Sequence, residues 1–292
     1  MNEGGRDARI CGMDDLSRPA CPQASPVVGV PRPQIPLTLR DAGKSLSEAA
    51  TVQVTLHSGV KARVDLLTFE VGLFETDAFR ASGIACPPSI VRSVTKRQAE
   101  FFFGRLAAHA SLQRLGLPAD TDTRAIGIGP SREPLWPPGA VGSITHGHGR
   151  AAALALGAHD VRGAGIDLET KVSASARAAL LELAIDAQEC AVLGQSALAG
   201  ESFDLALTLA FSAKESLFKG AFGSVGRYFD FAAAKVSGID MASGRLTLTL
   251  QEHLSADFRL GQRCDVHFTF IDPQTVLTCF SWGIAPAHPR VT

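Results

Sequence analysis

The chain has 292 residues, of which 46% are hydrophobic and 20% are charged. This composition excludes a wholly disordered chain, a collagen-like repeat and a charged coiled coil, and the length allows about two domains. The 28 Lys and Arg residues and 29 Asp and Glu residues give a formal net charge of −1, without a basic stripe suited to a nucleic-acid backbone. We therefore expect no nucleic-acid partner, and we expect any polyanion that binds to be small.

The cysteines and the N-terminus indicate the compartment. The six cysteines are scattered, with no CxxC pair and no His-Cys spacing typical of a zinc site. The first residues, MNEGGRDARICGMDD, lack the apolar core of a signal peptide, and no run of about 18 apolar residues is free of charge. We expect a cytoplasmic protein without stable membrane insertion, and we expect it to be a monomer.

The predicted elements begin after an N-terminal extension. Most of residues 1–50 are rich in Gly, Pro and Ser without a sustained period of 2 or 3.6 residues, which predicts a disordered segment. Strand-like segments follow at 51–56 and 62–71. We expect an N-terminal subdomain over 51–160 and a C-terminal subdomain over 161–292.

Two long helices dominate the rest of the chain. The first follows the prolines at 87 and 88 and runs to about Leu115, and the second covers 203–222. A hairpin is predicted at 141–156, a strand at 164–169, a helical region at 174–193, and antiparallel strands at 245–250, 264–271 and 275–282. The buried helix stripes are Ala99, Phe102, Phe103, Leu106 and Ala110, and Ala206, Leu209, Ala210, Ala213 and Leu217. Each half thus has a long helix followed by short strands, which favours an α+β fold of two pseudo-symmetric α/β subdomains with small antiparallel sheets.

Acidic side chains interrupt otherwise apolar sequence at two places in the second half of this pattern. Asp167 and Glu169 are two residues apart on a strand, so both project from one face and repel each other. Glu215 and Lys219 are four residues apart on the second helix. Three carboxylates with a nearby lysine indicate a Mg²⁺ site that shares its ion with a phosphate. The alternative is a surface acidic pair and an ordinary helical ion pair.

Two of these segments carry a family resemblance. GIDLE at 165–169 and FSAKESLFK at 211–219 resemble the paired signature of the 4′-phosphopantetheinyl transferase family, a G-[IV]-D-x-E strand and an F/W-[ST]-x-K-E-[SA]-x-x-K helix. KRQAEFFFGRLAA, SREPLWP and VGSITH resemble further blocks of its siderophore-type, enterobactin synthetase component D-like subgroup. The resemblance covers about residues 51–281 and implies that family's fold. It also implies transfer of 4′-phosphopantetheine from coenzyme A to a serine of an acyl, aryl or peptidyl carrier protein, with release of 3′,5′-ADP.

The resemblance implies a catalytic and metal-binding set. Asp167 and Glu169 would hold Mg²⁺, and Leu168 would lend its backbone carbonyl through water. Glu215 would be either a third metal ligand or the base that accepts the serine proton. Lys219 would contact the coenzyme A pyrophosphate and stabilise the leaving 3′,5′-ADP. The implied catalytic residues are therefore Asp167, Glu215 and Lys219.

Other matching residues imply contacts with coenzyme A. Arg97 and Arg105 are eight residues apart on nearly one side of the first helix and suit the 3′-phosphate. Alternatively, they belong to a solvated face on which Glu100 bridges them. The remaining implied contacts are Ser131, Arg132, Glu133 and Pro134 along the adenine, Thr145 and His146 at the phosphates, and Phe229 in the pantetheine channel.

A second hypothesis is a module that binds coenzyme A or a carrier protein without catalysis. Such a module has no need to keep Asp167, Glu169, Glu215 and Lys219 together, and all four are present. The sequence therefore favours the enzyme.

Overall fold

The computed structural model of the chain describes residues 43–117, 122, 126–198 and 202–283. Most of the predicted disordered extension therefore lies outside the described residues. The first strand, β1, covers Leu46–Thr55, so regular structure begins ahead of the predicted boundary at Thr51. The division into two subdomains after residue 160 stays a prediction.

The first half of the described chain is a four-stranded antiparallel sheet backed by one long helix. Its strands lie in the order β1, β2 (Lys61–Phe69), β6 (Arg150–Gly157) and β5 (Ala140–Gly147). The helix α3 (Thr95–Gln113) packs on β2, β5 and β6. The predicted apolar stripe of α3 is buried, and the ring of Phe103 stacks on that of Phe69 at 4.3 Å. The remaining elements of this half, in chain order, are the short helices α1 (Asp77–Ser82) and α2 (Pro88–Val91) and the ribbon of β3 (Gly127–Ile128) and β4 (Pro134–Leu135).

The second half repeats this plan with a five-stranded antiparallel sheet in the order β7-β11-β10-β9-β8. Its long helix α6 packs mainly on β7 and β11, and the predicted apolar stripe is buried there. None of the described helices has the length and apolar character needed to cross a membrane. The elements are β7 (Gly163–Thr170), α4 (Ala174–Ala184), α5 (Ala187–Leu198), α6 (Phe203–Val225), β8 (Ala234–Asp240), β9 (Arg245–Leu250), β10 (Arg263–Asp272) and β11 (Thr275–Trp282).

Several local features depart from the expected elements. The first long helix, expected from the prolines at 87 and 88 to about Leu115, is interrupted at residues 92–94, where Val94 is extended, and forms α2 and α3. The helical region expected at 174–193 is two helices, because Ile185 is extended (φ −132°, ψ 134°) and Asp186 begins a new helix by accepting the Glu189 N–H at 2.9 Å. Strand β8 was not predicted. A register shift between Val236 and Gly238 interrupts the alternation that identified the other strands.

Hydroxyl groups join the two sheets along their facing edges. The backbone N–H of Ile166 donates to the Ser143 hydroxyl at 3.0 Å, and that of Leu168 donates to the Thr145 hydroxyl at 3.2 Å. Ser143 and Thr145 lie on β5, whereas the two donors lie on the edge strand β7. Side chains of the first sheet therefore accept hydrogen bonds from backbone N–H groups at the edge of the second sheet. These N–H groups would otherwise need a further strand as their partner.

Helix α6 lies directly on β7 because glycines leave room for it. A Cβ atom at Gly165 would lie 2.0 Å from the Ser216 carbonyl oxygen, and one at Gly163 would lie 2.3 Å from the Gly220 carbonyl oxygen. Both obstacles belong to the helix backbone, which cannot move aside as a flexible side chain would. The close approach places one face of α6 over the strand that carries Asp167.

The Gly165→Ala substitution should lower the melting temperature by several degrees. Overpacking a core typically costs about 1–3 kcal/mol, and here the added methyl group meets backbone. Gly194→Ala on α5 is the control, because a Cβ atom there meets nothing within 4 Å and alanine favours a helix by up to about 1 kcal/mol. Differential scanning calorimetry of both variants measures the difference. An unchanged melting temperature for Gly165→Ala would contradict the close packing.

Candidate functional site

The carboxylate of Asp167 lies at the junction of the two halves. The residue is 4% exposed. Its Oδ1 atom accepts hydrogen bonds from Lys219 Nζ at 2.6 Å and from the Thr145 hydroxyl at 3.1 Å. Its Oδ2 atom accepts one from the Ser212 hydroxyl at 2.8 Å. Thr145 belongs to β5, whereas Ser212 and Lys219 belong to α6, so one charged group is held by both halves.

Two further carboxylates lie in the same electrostatic environment. Burial, followed by the negative charge of Asp167, raises the pKa of Glu169 to about 7; Lys219 acts in the opposite direction and Glu215 adds to the increase. Burial also raises the pKa of Glu215. The positive charge of Lys219 lowers this pKa, and the negative charge of Asp167 raises it. The site therefore holds more negative charge than its own lysine compensates.

These donors fit Mg²⁺ by their chemistry, although they do not converge on one point. Among the described residues, no three His, Cys, Asp or Glu side chains are grouped closely enough to hold a metal ion. The oxygens of Asp167, Glu169 and Glu215 are nevertheless of the type that Mg²⁺ prefers. A divalent cation would also offset the burial and the repulsion from Asp167 that raise the pKa of Glu169.

A cavity of about 750 Å³ opens beside Lys219. One wall consists of residues 130–136 with part of β5, and the other consists of the start of β7 with the end of α6. This volume is typical of small-molecule sites. Four residues expected along an adenine line this cavity, namely Ser131, Arg132, Glu133 and Pro134. The backbone of Arg132 is left-handed (φ 69°), which is uncommon for a residue other than glycine and shapes the loop tightly.

A second cavity of about 380 Å³ contains the two arginines of α3. Arg132, Pro134 and Ile144 line both cavities, so the two adjoin. The Arg105 guanidinium is buried and donates to the Gly127 carbonyl oxygen at 3.2 Å. Its Nε atom has no hydrogen-bond partner among the described residues. Burial, reinforced by the charge of Arg97, lowers the pKa of Arg105 to about 10.

His146 completes the second cavity beside Arg97. The Nη1 atom of Arg97 lies 2.6 Å from His146 Nε2. Burial, and then the charge of Arg97, lowers the pKa of His146, although Glu100 opposes the change. Glu100 bridges Arg97 at 3.7 Å and His146 at 3.6 Å. The expected alternative, in which Glu100 bridges the two arginines, is therefore not what the structure has, because Arg105 points instead to the Gly127 carbonyl.

Phe229 lies on the far side of α6. It lines a smaller cavity of about 160 Å³ together with Glu215, Phe218 and Phe231. Its ring is 5.1 Å from that of Phe218, which also lines the large cavity. The neighbouring Lys214 is buried and pairs with Glu189 at 2.7 Å, so this lysine has a structural partner away from Lys219.

Comparisons with known proteins agree on one family. Family models described as the 4′-phosphopantetheinyl transferase N-terminal domain and the 4′-phosphopantetheinyl transferase superfamily match residues 88–156 and 163–269, respectively. Enterobactin synthase component D of Salmonella typhimurium is 38% identical to this chain over 170 residues. The aligned region covers 57% of this chain and 67% of that relative. The chain belongs to the 4′-phosphopantetheinyl transferase superfamily.

Other members of this superfamily match over a shorter share of their length. Enterobactin synthase component D of Salmonella typhi is 40% identical over 146 residues, or 50% of this chain and 56% of the relative. The 4′-phosphopantetheinyl transferase PptT of Mycobacterium tuberculosis is 31% identical over 159 residues, or 51% of this chain and 62% of the relative. The chain therefore spans between about half and two thirds of the length of these relatives. They confirm the resemblance to the siderophore-type subgroup, and the two small antiparallel sheets agree with the expected α+β fold.

The structure brings most of the residues expected from the transferase signatures into one region, but it gives one of them a different partner. Thr145, expected at a phosphate, is 3% exposed, and its hydroxyl is used by Asp167 and by the Leu168 N–H. Leu168 itself is buried on β7. Sequence reasoning missed Ser212, although this residue occupies the Ser/Thr position of the helix signature.

Thr145→Val should destabilise the ligand-free protein by about 1–3 kcal/mol. It removes the acceptor of the Leu168 N–H and one of the donors to the Asp167 Oδ1 atom, which keeps its hydrogen bond from Lys219. Thr145→Ser keeps the hydroxyl and should lower the free energy of unfolding by less. Chemical denaturation of both variants measures the free energies of unfolding. A residue that only contacted a ligand phosphate would leave these free energies unchanged, so equal midpoints for Thr145→Val and the native protein would contradict the structural role.

Proposed function

We propose that the protein transfers the 4′-phosphopantetheine arm of coenzyme A to a serine of an acyl, aryl or peptidyl carrier protein and releases 3′,5′-ADP. The observation that carries this proposal is the buried Asp167, paired with Lys219 at 2.6 Å beside a cavity of about 750 Å³. Glu169 and Glu215 share its electrostatic environment. Membership of the superfamily supports the same reaction.

The two adjoining cavities suit the two charged parts of coenzyme A. In the smaller cavity, Arg97 and Arg105 offer guanidinium groups to the 3′-phosphate. The Nε atom of Arg105 lacks a hydrogen-bond partner among the residues that the structure describes, which supports this assignment. His146 lies beside Arg97 and is a further proposed contact for a phosphate. In the larger cavity, Lys219 is the proposed contact for the pyrophosphate. The residues Ser131, Arg132, Glu133 and Pro134 would follow the adenine, and Phe229 the pantetheine.

The proposed ligands of Mg²⁺ are Asp167 and Glu169, with Glu215 as a third ligand or as the base. The Leu168 carbonyl would contribute through water. When bound, the ion would offset the charge of the pyrophosphate and of the leaving 3′,5′-ADP. The mutual repulsion of these carboxylates, which adds to the effect of burial on the pKa of Glu169, supports this assignment.

The residues of the chain have distinct tasks in the proposed transfer. The carrier serine oxygen forms a bond to the phosphorus on the pantetheine side. The bond from that phosphorus to the bridging oxygen breaks, and this oxygen leaves with 3′,5′-ADP. Glu215 is suited to accept the serine proton because burial raises its pKa. Lys219 stabilises the charge that develops on the leaving oxygen.

The purified protein, incubated with Mg²⁺, coenzyme A and an apo peptidyl carrier protein, should raise the intact mass of the carrier by one phosphopantetheine. Asp167→Asn keeps the size of the side chain but removes its charge, so transfer should fall by at least about 100-fold. Glu48→Gln on β1 is the control, since this carboxylate is exposed and its strand forms the edge of the sheet opposite β5. Intact mass spectrometry over time gives the rates.

Mg²⁺-dependent transfer at the native rate by Asp167→Asn would contradict the metal assignment. Coenzyme A binding without a mass gain on peptidyl, acyl and aryl carriers would instead favour a binding module and contradict the proposed reaction.

Arg97→Ala should raise the KM for coenzyme A about tenfold or more, because a charge-assisted hydrogen bond is worth about 1.5–3 kcal/mol. The KM for 3′-dephospho-coenzyme A should stay unchanged, because this substrate lacks the phosphate that Arg97 is proposed to bind. Lys96→Ala is the matched control: it removes the neighbouring positive charge, which pairs with the same Glu100. An equal loss of affinity for both substrates in Arg97→Ala would contradict the placement of the 3′-phosphate.

A further inference from the structure

Behind Asp167 lies a group of buried hydroxyls to which the proposed reaction gives no task. The Ser212 hydroxyl donates to Asp167 Oδ2 at 2.8 Å. The Thr278 hydroxyl lies 2.9 Å from the Ser212 Oγ atom and 2.7 Å from the Ser216 Oγ atom. The exposed fractions of Ser212, Ser216 and Thr278 are 0%, 0% and 1%. None of these hydroxyls is a surface group that water could satisfy.

Strand register explains why Thr278 can reach this position. Thr278 on β11 is the direct cross-strand partner of Asp167 on β7. Both side chains therefore project from the same face of the sheet, towards α6. Ser212 on α6 lies between them and contacts both.

The number of available protons fixes the direction of these hydrogen bonds. A carboxylate paired with Lys219 only accepts, so the single proton of the Ser212 hydroxyl is used on Asp167. Thr278 can then bond to Ser212 only as a donor, either to its Oγ atom or to its carbonyl oxygen, both at 2.9 Å, and the Ser216 Oγ atom at 2.7 Å is either a donor to Thr278 or a competing acceptor. A bond to the Ser212 Oγ atom leaves that hydroxyl as a donor to Asp167, and a bond to the carbonyl oxygen ties Thr278 to the same residue of α6.

The two oxygens of Asp167 are held in different ways. Oδ1 is held by Lys219 and Thr145, and Lys219 is also the proposed contact for the pyrophosphate. Oδ2 is held by Ser212, whose hydroxyl is fully buried and has no proposed contact with a ligand. When Lys219 turns to a phosphate, Ser212 still fixes the plane of the carboxylate.

We propose that Ser212, held by Thr278, is a positioning residue that orients the Asp167 carboxylate for its cation. The inference rests on the proposed function, because it assigns Asp167 to a Mg²⁺ site. Hydrogen-bond partners of a ligating carboxylate typically change metal affinity or activity by 10–100-fold when they are removed. Ser212 touches neither substrate nor cofactor and acts through Asp167.

The test compares Ser212→Ala with Ser216→Ala. Both substitutions remove a buried hydroxyl from α6 that contacts Thr278, but Ser212 is the one whose hydroxyl contacts Asp167. Electron paramagnetic resonance measures Mn²⁺ binding to the protein in the presence of coenzyme A. This readout does not depend on turnover. Ser212→Ala should weaken Mn²⁺ binding about tenfold or more, and Ser216→Ala should stay within about twofold of the native protein.

Thr278→Val and Thr278→Ser provide a second pair if Ser212→Ala fails to fold. Valine keeps the shape and removes the hydroxyl, so Thr278→Val should weaken Mn²⁺ binding, whereas Thr278→Ser should preserve it. Equal Mn²⁺ affinities for Ser212→Ala and Ser216→Ala, or for the two Thr278 variants, would overturn the inference and leave the proposed transfer intact. Mn²⁺ binding by the native protein without any transfer to a carrier would contradict the proposed function instead.

Discussion

A carboxylate kept out of water has to be compensated within the protein, and Asp167 imposes this requirement on both halves of the molecule. An uncompensated buried charge is strongly destabilising. Lys219 and Ser212 approach Asp167 from the second half and Thr145 from the first, so the compensation requires the halves to be assembled. The same group that is proposed to bind a cation therefore contributes to the joint between the two sheets.

Small residues and hydroxyls make this arrangement possible. Gly163 and Gly165 allow α6 to lie against β7, which brings Lys219 within reach of Asp167. Gly104 has a similar role in the first half, where a Cβ atom would lie 2.9 Å from the Ile144 side chain on β5. Close packing of both long helices leaves the adjoining cavities at the edges of the two sheets.

The parts of the structure that depend on local pattern could be predicted from the sequence. The strands Arg245–Leu250 and Thr275–Trp282 were placed correctly, the first by its regular alternation, as were the buried stripes of α3 and α6. The acidic set followed from two signatures with characteristic spacing. The partners of Asp167 could not be predicted in the same way. Local periodicity shows which face of an element is buried, but the contact between Thr278 and Ser212 joins residues 66 positions apart and depends on strand register and helix approach.

We propose that coenzyme A and a divalent cation bind together where the two halves meet at Asp167. A crystal structure of the protein with coenzyme A and Mg²⁺ would show whether they do. We expect the pyrophosphate beside Lys219, the 3′-phosphate beside Arg97, and a cation on Asp167 whose Oδ2 atom still accepts the Ser212 hydrogen bond. Coenzyme A bound elsewhere, or bound here with Asp167 still paired to Lys219 and no cation on its carboxylate, would contradict this proposal.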